Sequence, residues 1–138
     1  MNGYLAVNRI EFAVTYLCNS KCRHCQLGEE TGKFPSHIDE DVAVEVLRRV
    51  GRKHVPESVM TFGGEPLLYP EIVYAIHKAA MDIGIPVREV ITNGFWSKNE
   101  SRINEIADNL VGSGVNEVCI SVDCFHQEFV HLESLGWL

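Results

Sequence analysis

No stretch of this chain approaches the roughly 20 consecutive apolar residues that a membrane-spanning helix needs. Its start, Met1-Asn-Gly-Tyr-Leu-Ala-Val-Asn-Arg9, lacks a basic segment leading into a long apolar one, so no secretory signal is read. Positive charge is scarce: 12 Lys and Arg stand against 19 Asp and Glu, and the net charge of −7 argues against a broad nucleic-acid surface. The single basic cluster, Arg48, Arg49, Arg52, Lys53 and His54, falls where a predicted helix ends and reads as a solvated face complementing the helix dipole. Low-complexity segments and interdomain linkers are also missing. The 138 residues, 46% hydrophobic, are expected to build one core and one domain spanning 1–138.

Cysteine is sparse but concentrated. There are five, an odd number, and three sit too close together for a disulfide framework. Without a secretory signal they read as metal chemistry in a reducing compartment, and the expected location is cytoplasmic.

Between the punctuating glycines and prolines, strand and helix patterns alternate. Ile10–Tyr16, Ser58–Phe62, Val87–Thr92 and Glu117–Val122 are predicted strands. Asp39–Val50 is a predicted amphipathic helix carrying Val42, Val46 and Val50 at fourfold spacing, with Ala43 and Leu47 beside them and Gly51 ending it. Pro70 opens a second helix, with Ile72, Val73, Ile76, Ala79, Ala80 and Ile83 inward, stopped by Gly84 and Pro86. A third runs over Glu100–Val111. This order implies an α/β fold with a parallel sheet and right-handed crossovers. A curved sheet or partial barrel and a small doubly wound sheet fit the pattern equally.

In such folds ligands bind at the carboxyl ends of the strands, and the unusual tracts of this chain all fall there. After the first strand comes Cys18-Asn-Ser-Lys-Cys22-Arg-His-Cys25, and after the second Gly63-Gly64-Glu65-Pro66. The third runs into Thr92-Asn93-Gly94, and the fourth ends in Ser121-Val122-Asp123. Three thiolates can hold three irons of a four-iron four-sulfur cube and leave the fourth iron open to a small molecule. The second cysteine pair of a structural zinc site is missing, although His24 would in principle complete one. The paired glycines let a ligand approach the backbone, and Glu65 is a candidate acceptor for a ligand's ammonium group; a plain strand-to-helix turn is the alternative. Alternation on the fourth strand puts Cys119, Ser121 and Asp123 toward the interior of the curve and Val118, Ile120 and Val122 toward the helices. Asn93 is either a ligand contact or a turn-former before glycine. Cys119 reads as a small core residue rather than a ligand, Cys124 is unassigned, and His126 and His131 read as surface histidines, with contact of one of them to a substrate as the alternative. Trp96 either lines a pocket or covers a loop.

The cysteine tract followed by Gly63-Gly64-Glu65-Pro66 resembles the radical S-adenosylmethionine (radical SAM) superfamily, over roughly Ile10 to Phe125. That resemblance implies a parallel (β/α) partial barrel. Its cofactors would be a 4Fe-4S cluster ligated by Cys18, Cys22 and Cys25, and S-adenosylmethionine chelated by the open iron. His24 stands where the family usually has an aromatic residue whose backbone contacts the adenine. Gly63, Gly64 and Glu65 would bind the methionine amino group, and Ser121 and Asp123 match positions that contact the ribose or the methionine carboxylate. The reaction implied is reductive cleavage to methionine and a 5′-deoxyadenosyl radical that abstracts hydrogen from a substrate. It requires a reductant such as flavodoxin or ferredoxin. The stretch Gln26–His37 is expected to cover the site.

The family core has six strand–helix units, whereas four strands are readable here and fifteen residues follow Asp123. The fifth-strand glycine motif is missing, and the tail Glu133-Ser-Leu-Gly-Trp-Leu138 ends on apolar residues. The expectation is an incomplete core domain, the amino-terminal part of a longer enzyme. The alternatives are a compact enzyme whose barrel is completed by a partner or a second copy, and a non-catalytic iron–sulfur module. The substrate is not legible.

Overall fold

The protein is described here by a computed structural model covering residues 7–34, 36–95 and 97–132. Trp96 and the tail from residue 133 lie outside the described residues.

Four strands, β1 (Arg9–Thr15), β2 (Ser58–Gly63), β3 (Val87–Thr92) and β4 (Glu117–Ile120), form one sheet in the order β1-β2-β3-β4. Every neighbouring pair is parallel. Helices α1 (Glu40–Gly51), α2 (Pro70–Ile83) and α3 (Glu100–Gly112) fill the crossovers. Because strand order follows chain order, crossovers of one hand put all three helices on one face of the sheet. A doubly wound sheet would reverse its strand order and carry helices on both faces. The arrangement is that of a partial parallel α/β barrel.

Alternation along the strands sorts the two faces. Phe12, Val14, Val59 and Val90 point toward the helices and join Ala43, Leu47, Val73, Ile76, Ile106 and Leu110 in one buried cluster. On α1 the core face is Ala43 and Leu47, both fully buried, while Val42 and Val46 are 58% and 42% exposed. The fourfold valine stripe therefore lies outside the main contact. Gly51 is the last helical residue of α1, and a Cβ there would lie 2.5 Å from Ile83 Cγ2, so close helix packing requires the glycine. Gly84 closes α2 with φ of 88°, the left-handed conformation that suits a residue without Cβ. Asp39 and Asn99 cap α1 and α3 by accepting the backbone N–H of Val42 and Arg102.

The core also holds a histidine that periodicity did not flag. His77 on α2 is fully buried, with Nε2 2.9 Å from Thr61 Oγ1. Nδ1 has no partner among the described residues. A bare ring nitrogen costs less than an unpaired N–H, which favours the tautomer donating from Nε2 to Thr61. Burial, helped by Arg88, lowers the ring pKa from 6.5 to about 4. Above pH 6.5 both folded and unfolded states hold the ring neutral, and stability is complete. As pH falls from 6.5 toward 4 only the unfolded state takes the proton, so stability drops, by about 3 kcal/mol once both states are protonated. Urea denaturation between pH 7 and pH 4 should show this loss in the wild type and a flatter profile in His77→Leu. Equal slopes would assign the acid sensitivity to other groups.

The edges differ. Beside β1, His37 forms an isolated antiparallel bridge with Thr15, and Ile38 N–H donates to the Val14 carbonyl at 2.8 Å. No strand pairs with the outer edge of β4 among the described residues. Val118 and Ile120 point to the helix side as their alternation implied, but they are 50% and 37% exposed, since no helix among the described residues packs over them; Val122, beyond the strand, is 48% exposed. Cys119 corrects the expectation of a core residue: it is exposed on the opposite face, where Sγ donates to Glu89 Oε1 at 3.0 Å.

Candidate functional site

The carboxyl ends of all four strands surround a cavity of about 530 Å³. Cys18, Cys22 and Cys25 line it, together with Gly63, Gly64 and Ser121. Among the described residues no further thiol lies on its wall, and both Cys119 and Cys124 are exposed elsewhere. The three thiols come from one short loop closed by local turns, with Cys25 N–H donating to the Cys22 carbonyl at 3.1 Å and Gly28 N–H to the Cys25 carbonyl at 2.9 Å. Burial pushes the Cys18 thiol pKa up, against the pull of the Ser20 N–H on its sulfur. Cys22 is raised by burial and then by the neighbouring sulfurs. Metal uptake must therefore displace protons at neutral pH.

The Gly63–Gly64 turn seats this loop. Gly64 N–H donates to the Thr15 carbonyl at 2.7 Å and Glu65 N–H to the Leu17 carbonyl at 2.9 Å. Gly63 has φ of 143°, and a Cβ there would lie 2.3 Å from the Thr15 carbonyl oxygen. At Gly64 it would lie 2.1 Å from the Leu17 carbonyl oxygen. The close approach that demands glycine here is that of the cysteine loop's own backbone, on a turn that also faces the cavity.

Glu65 is placed differently from Gly63 and Gly64. Its side chain is fully buried beneath the turn. Oε1 accepts from Leu67 N–H at 3.0 Å and from the Thr92 hydroxyl at 2.7 Å, and Oε2 accepts from Asn93 N–H at 2.8 Å. Burial raises its carboxyl pKa against the pull of these three donors. The carboxylate ties the end of β2 to the end of β3.

Asn93 continues the tie into the cysteine loop. Its side-chain amide donates to Asn19 Oδ1 at 2.7 Å and to Ser20 Oγ at 3.3 Å, and approaches Cys18 Sγ at 3.9 Å. Asn19 in turn donates to the Phe95 carbonyl. Asn93 is both cavity wall and turn-former, since its Oδ1 accepts from Phe95 N–H at 2.9 Å. The contribution of Asn19 and Ser20 was not read from the sequence, although both lie inside the cysteine tract.

His24 and Asp123 meet at the rim. The His24 ring stacks on Phe125 with centroids 4.8 Å apart, and its Nε2 lies 3.5 Å from Asp123 Oδ2. The His24 ring is thus turned toward Asp123 and Phe125. His126 corrects the expectation of a surface histidine: its side chain is 17% exposed, lines the cavity, and holds Asp123 Oδ2 with Nδ1 at 2.7 Å. His131 is exposed as expected. In the stretch 26–37, Gly32 N–H donates to the Tyr16 carbonyl at 2.9 Å, and Thr31 Oγ1 lies 3.7 Å from Cys25 Sγ. This segment flanks the thiols.

The sequence matches the Radical SAM superfamily model over residues 12–136. The chain belongs to the radical SAM superfamily. Pre-heme d1 synthase of Dinoroseobacter shibae is 32% identical over 114 residues, covering 81% of this radical SAM chain and 28% of that protein. GTP 3',8-cyclase of Geobacter sulfurreducens is 31% identical over 120 residues, covering 85% of this chain and 34% of that one. This chain thus spans about a third of the length of these curated relatives. Among solved structures, anSMEcpe with bound AdoMet superposes with a TM-score of 0.53 at 14% identity, over 94% of this chain and 47% of that one, a likeness of fold. The radical SAM cofactors are a 4Fe-4S cluster and S-adenosylmethionine, and the cavity suits them: three thiols, no fourth on its wall among the described residues, and a glycine turn lining the same space. Among the described residues no helix is long and apolar enough to cross a membrane.

Proposed function

We propose that this chain holds a 4Fe-4S cluster through Cys18, Cys22 and Cys25, binds S-adenosylmethionine beside it, and promotes reductive cleavage of that cofactor to drive hydrogen abstraction from a substrate. The observation that carries this reading is the convergence of the three thiols, the Gly63–Gly64 turn and Ser121 on one cavity. When bound, the cluster supplies one low-potential electron and an iron open to the cofactor's amino-acid end.

The chain's own residues would orient and enclose. The backbone of Gly63 and Gly64 faces the cavity and is the proposed seat of the methionine ammonium group. Glu65, buried with three protein donors, would act by holding that turn in place. The Ser121 hydroxyl is the proposed contact for the ribose or the methionine carboxylate, and the backbone at His24 that for the adenine. Asn93 would fix the Cys18 arm of the loop. Asp123 is directed toward His24 and His126, and its part would be to hold that side of the loop. A reductant such as flavodoxin or ferredoxin is the proposed electron source, and a partner or second copy pairing with β4 is a proposed means of extending the sheet.

Anaerobic reconstitution followed by electron paramagnetic resonance tests this reading. The reduced wild type should give a cube signal that shifts on adding S-adenosylmethionine, and chromatography should detect 5′-deoxyadenosine and methionine. Cys22→Ala should lose both the cube and the cleavage, and full activity in that variant would retire the ligand assignment. A cube indifferent to S-adenosylmethionine would instead favour a non-catalytic iron–sulfur module.

A further inference from the structure

Three ligand-type side chains meet at the cavity rim and are not needed to hold the cluster. Asp123 Oδ1 accepts the backbone N–H groups of Phe125 at 2.9 Å and His126 at 3.0 Å, which fixes the carboxylate and leaves Oδ2 outward. His126 Nδ1 lies 2.7 Å from that Oδ2, and His24 Nε2 approaches it to 3.5 Å from the cysteine loop. The three ligand atoms all lie within 4.8 Å of one another.

We propose that His24, Asp123 and His126 form a site for a divalent transition-metal ion, distinct from the thiol set. An ion with bonds of about 2.1 Å holds neighbouring ligand atoms about 3.0 Å apart in an octahedron and about 3.4 Å apart in a tetrahedron. The two distances to Asp123 Oδ2 bracket these edges. The remaining edge, between the imidazoles, closes by rotation of His24, whose side chain is 42% exposed. Two imidazoles and one carboxylate select zinc, iron(II) or cobalt(II) over magnesium and calcium, which prefer oxygen throughout. The ring of Phe125 packs against one face of His24, with centroids 4.8 Å apart. Backbone donation from His126, with help from its ring and from Phe125 N–H, lowers the Asp123 pKa, consistent with an anionic ligand at neutral pH. Three protein ligands leave at least one coordination position free. Both histidines line the cavity, so a metal held here would border the space in which a substrate reacts.

The same contacts would also serve as a hydrogen-bonded clasp with no metal, and metal counting separates the two. The reconstituted holoprotein is dialysed against micromolar free zinc, and zinc and iron are both measured. The expected result is one zinc per chain with the iron content unchanged. Asp123→Ala and His126→Ala should each weaken zinc binding by roughly 10- to 100-fold at constant iron. His126→Gln, which keeps a hydrogen-bonding side chain, should lose zinc while retaining the wild-type circular dichroism, so that lost ligation is distinguished from lost fold. In the Cys18→Ser/Cys22→Ser/Cys25→Ser protein, cobalt(II) should give weak visible bands without thiolate charge transfer, and His126→Gln should remove them. These bands read the rim site even if no cluster assembles. Equal zinc in wild type and His126→Gln, or zinc that enters only as iron leaves, overturns the proposal.

Discussion

Gly64→Ala is expected to weaken loading of the cluster. A methyl group at that position would stand 2.1 Å from the Leu17 carbonyl oxygen, 2.5 Å from its carbon and 3.1 Å from Cys18 N. All three are backbone atoms of the segment leading into the first thiol, so no side chain can swing aside. The two hydrogen bonds that seat the segment, from Gly64 N–H to Thr15 and from Glu65 N–H to Leu17, have to open. Overpacking of this kind costs about 1–3 kcal/mol, which corresponds to roughly 5- to 150-fold in loading affinity if the strain falls on the loop. Iron and sulfide per chain after reconstitution measure it. Gly112→Ala is the control, because nothing lies within 4 Å of its Cβ position and its φ is not positive, so it should load like wild type. Full loading of Gly64→Ala would show that the loop has another way to sit.

Glu65→Ala should have the larger effect on folding. It removes the acceptor for Leu67 N–H, the Thr92 hydroxyl and Asn93 N–H, all in a region closed to solvent. An unsatisfied buried donor costs about 1–3 kcal/mol, so a loss of about 3–5 kcal/mol is expected once water and relaxation recover part of it. Glu65→Gln preserves the shape and one oxygen, but presents an amide N–H₂ to a backbone donor. It should fall between the two, about 1–3 kcal/mol below wild type. Denaturant unfolding of the three proteins without iron gives the order. A Glu65→Ala protein as stable as wild type, yet unable to bind S-adenosylmethionine, would return the carboxylate to direct ligand contact.

The fold was legible because its signals are local and regular. Pro70 and Gly84 bracket α2 at the residues where the chain turns, and the β3 limits Val87–Thr92 coincide with the sequence reading. The inward face of α1 was less clear, because a valine stripe and the Ala43/Leu47 pair lie on adjacent sectors of the helix. Only the position of α2 beside it decides between them. At the site, residue types were visible and their tasks were not. A glutamate after two glycines reads as an exposed acceptor, and its burial depends on Thr92 and Asn93, which are 27 and 28 positions away. His126 shows the same limit: its partner Asp123 is near in sequence, but its place on the cavity wall comes from the cysteine loop opposite. Cys119 was judged by its small apolar character, but it lies on the sheet face away from the helices, where Glu89 on the neighbouring strand takes its thiol.

The ties that shape the cysteine loop also govern when it can form. Asn93 reaches Asn19 across 74 positions, and Arg23 pairs with Glu128 at 2.6 Å across 105. Contacts that close loops of this length are made late, after the strands that carry them have paired. During synthesis the thiols therefore leave the ribosome before the chain that will seat them, and the Asn93 tie can form only once β3 is in place. Iron delivered to the finished sheet meets three converging sulfurs, whereas iron delivered earlier meets a flexible peptide. Loading efficiency should thus depend on whether the cluster is supplied before or after the chain has folded.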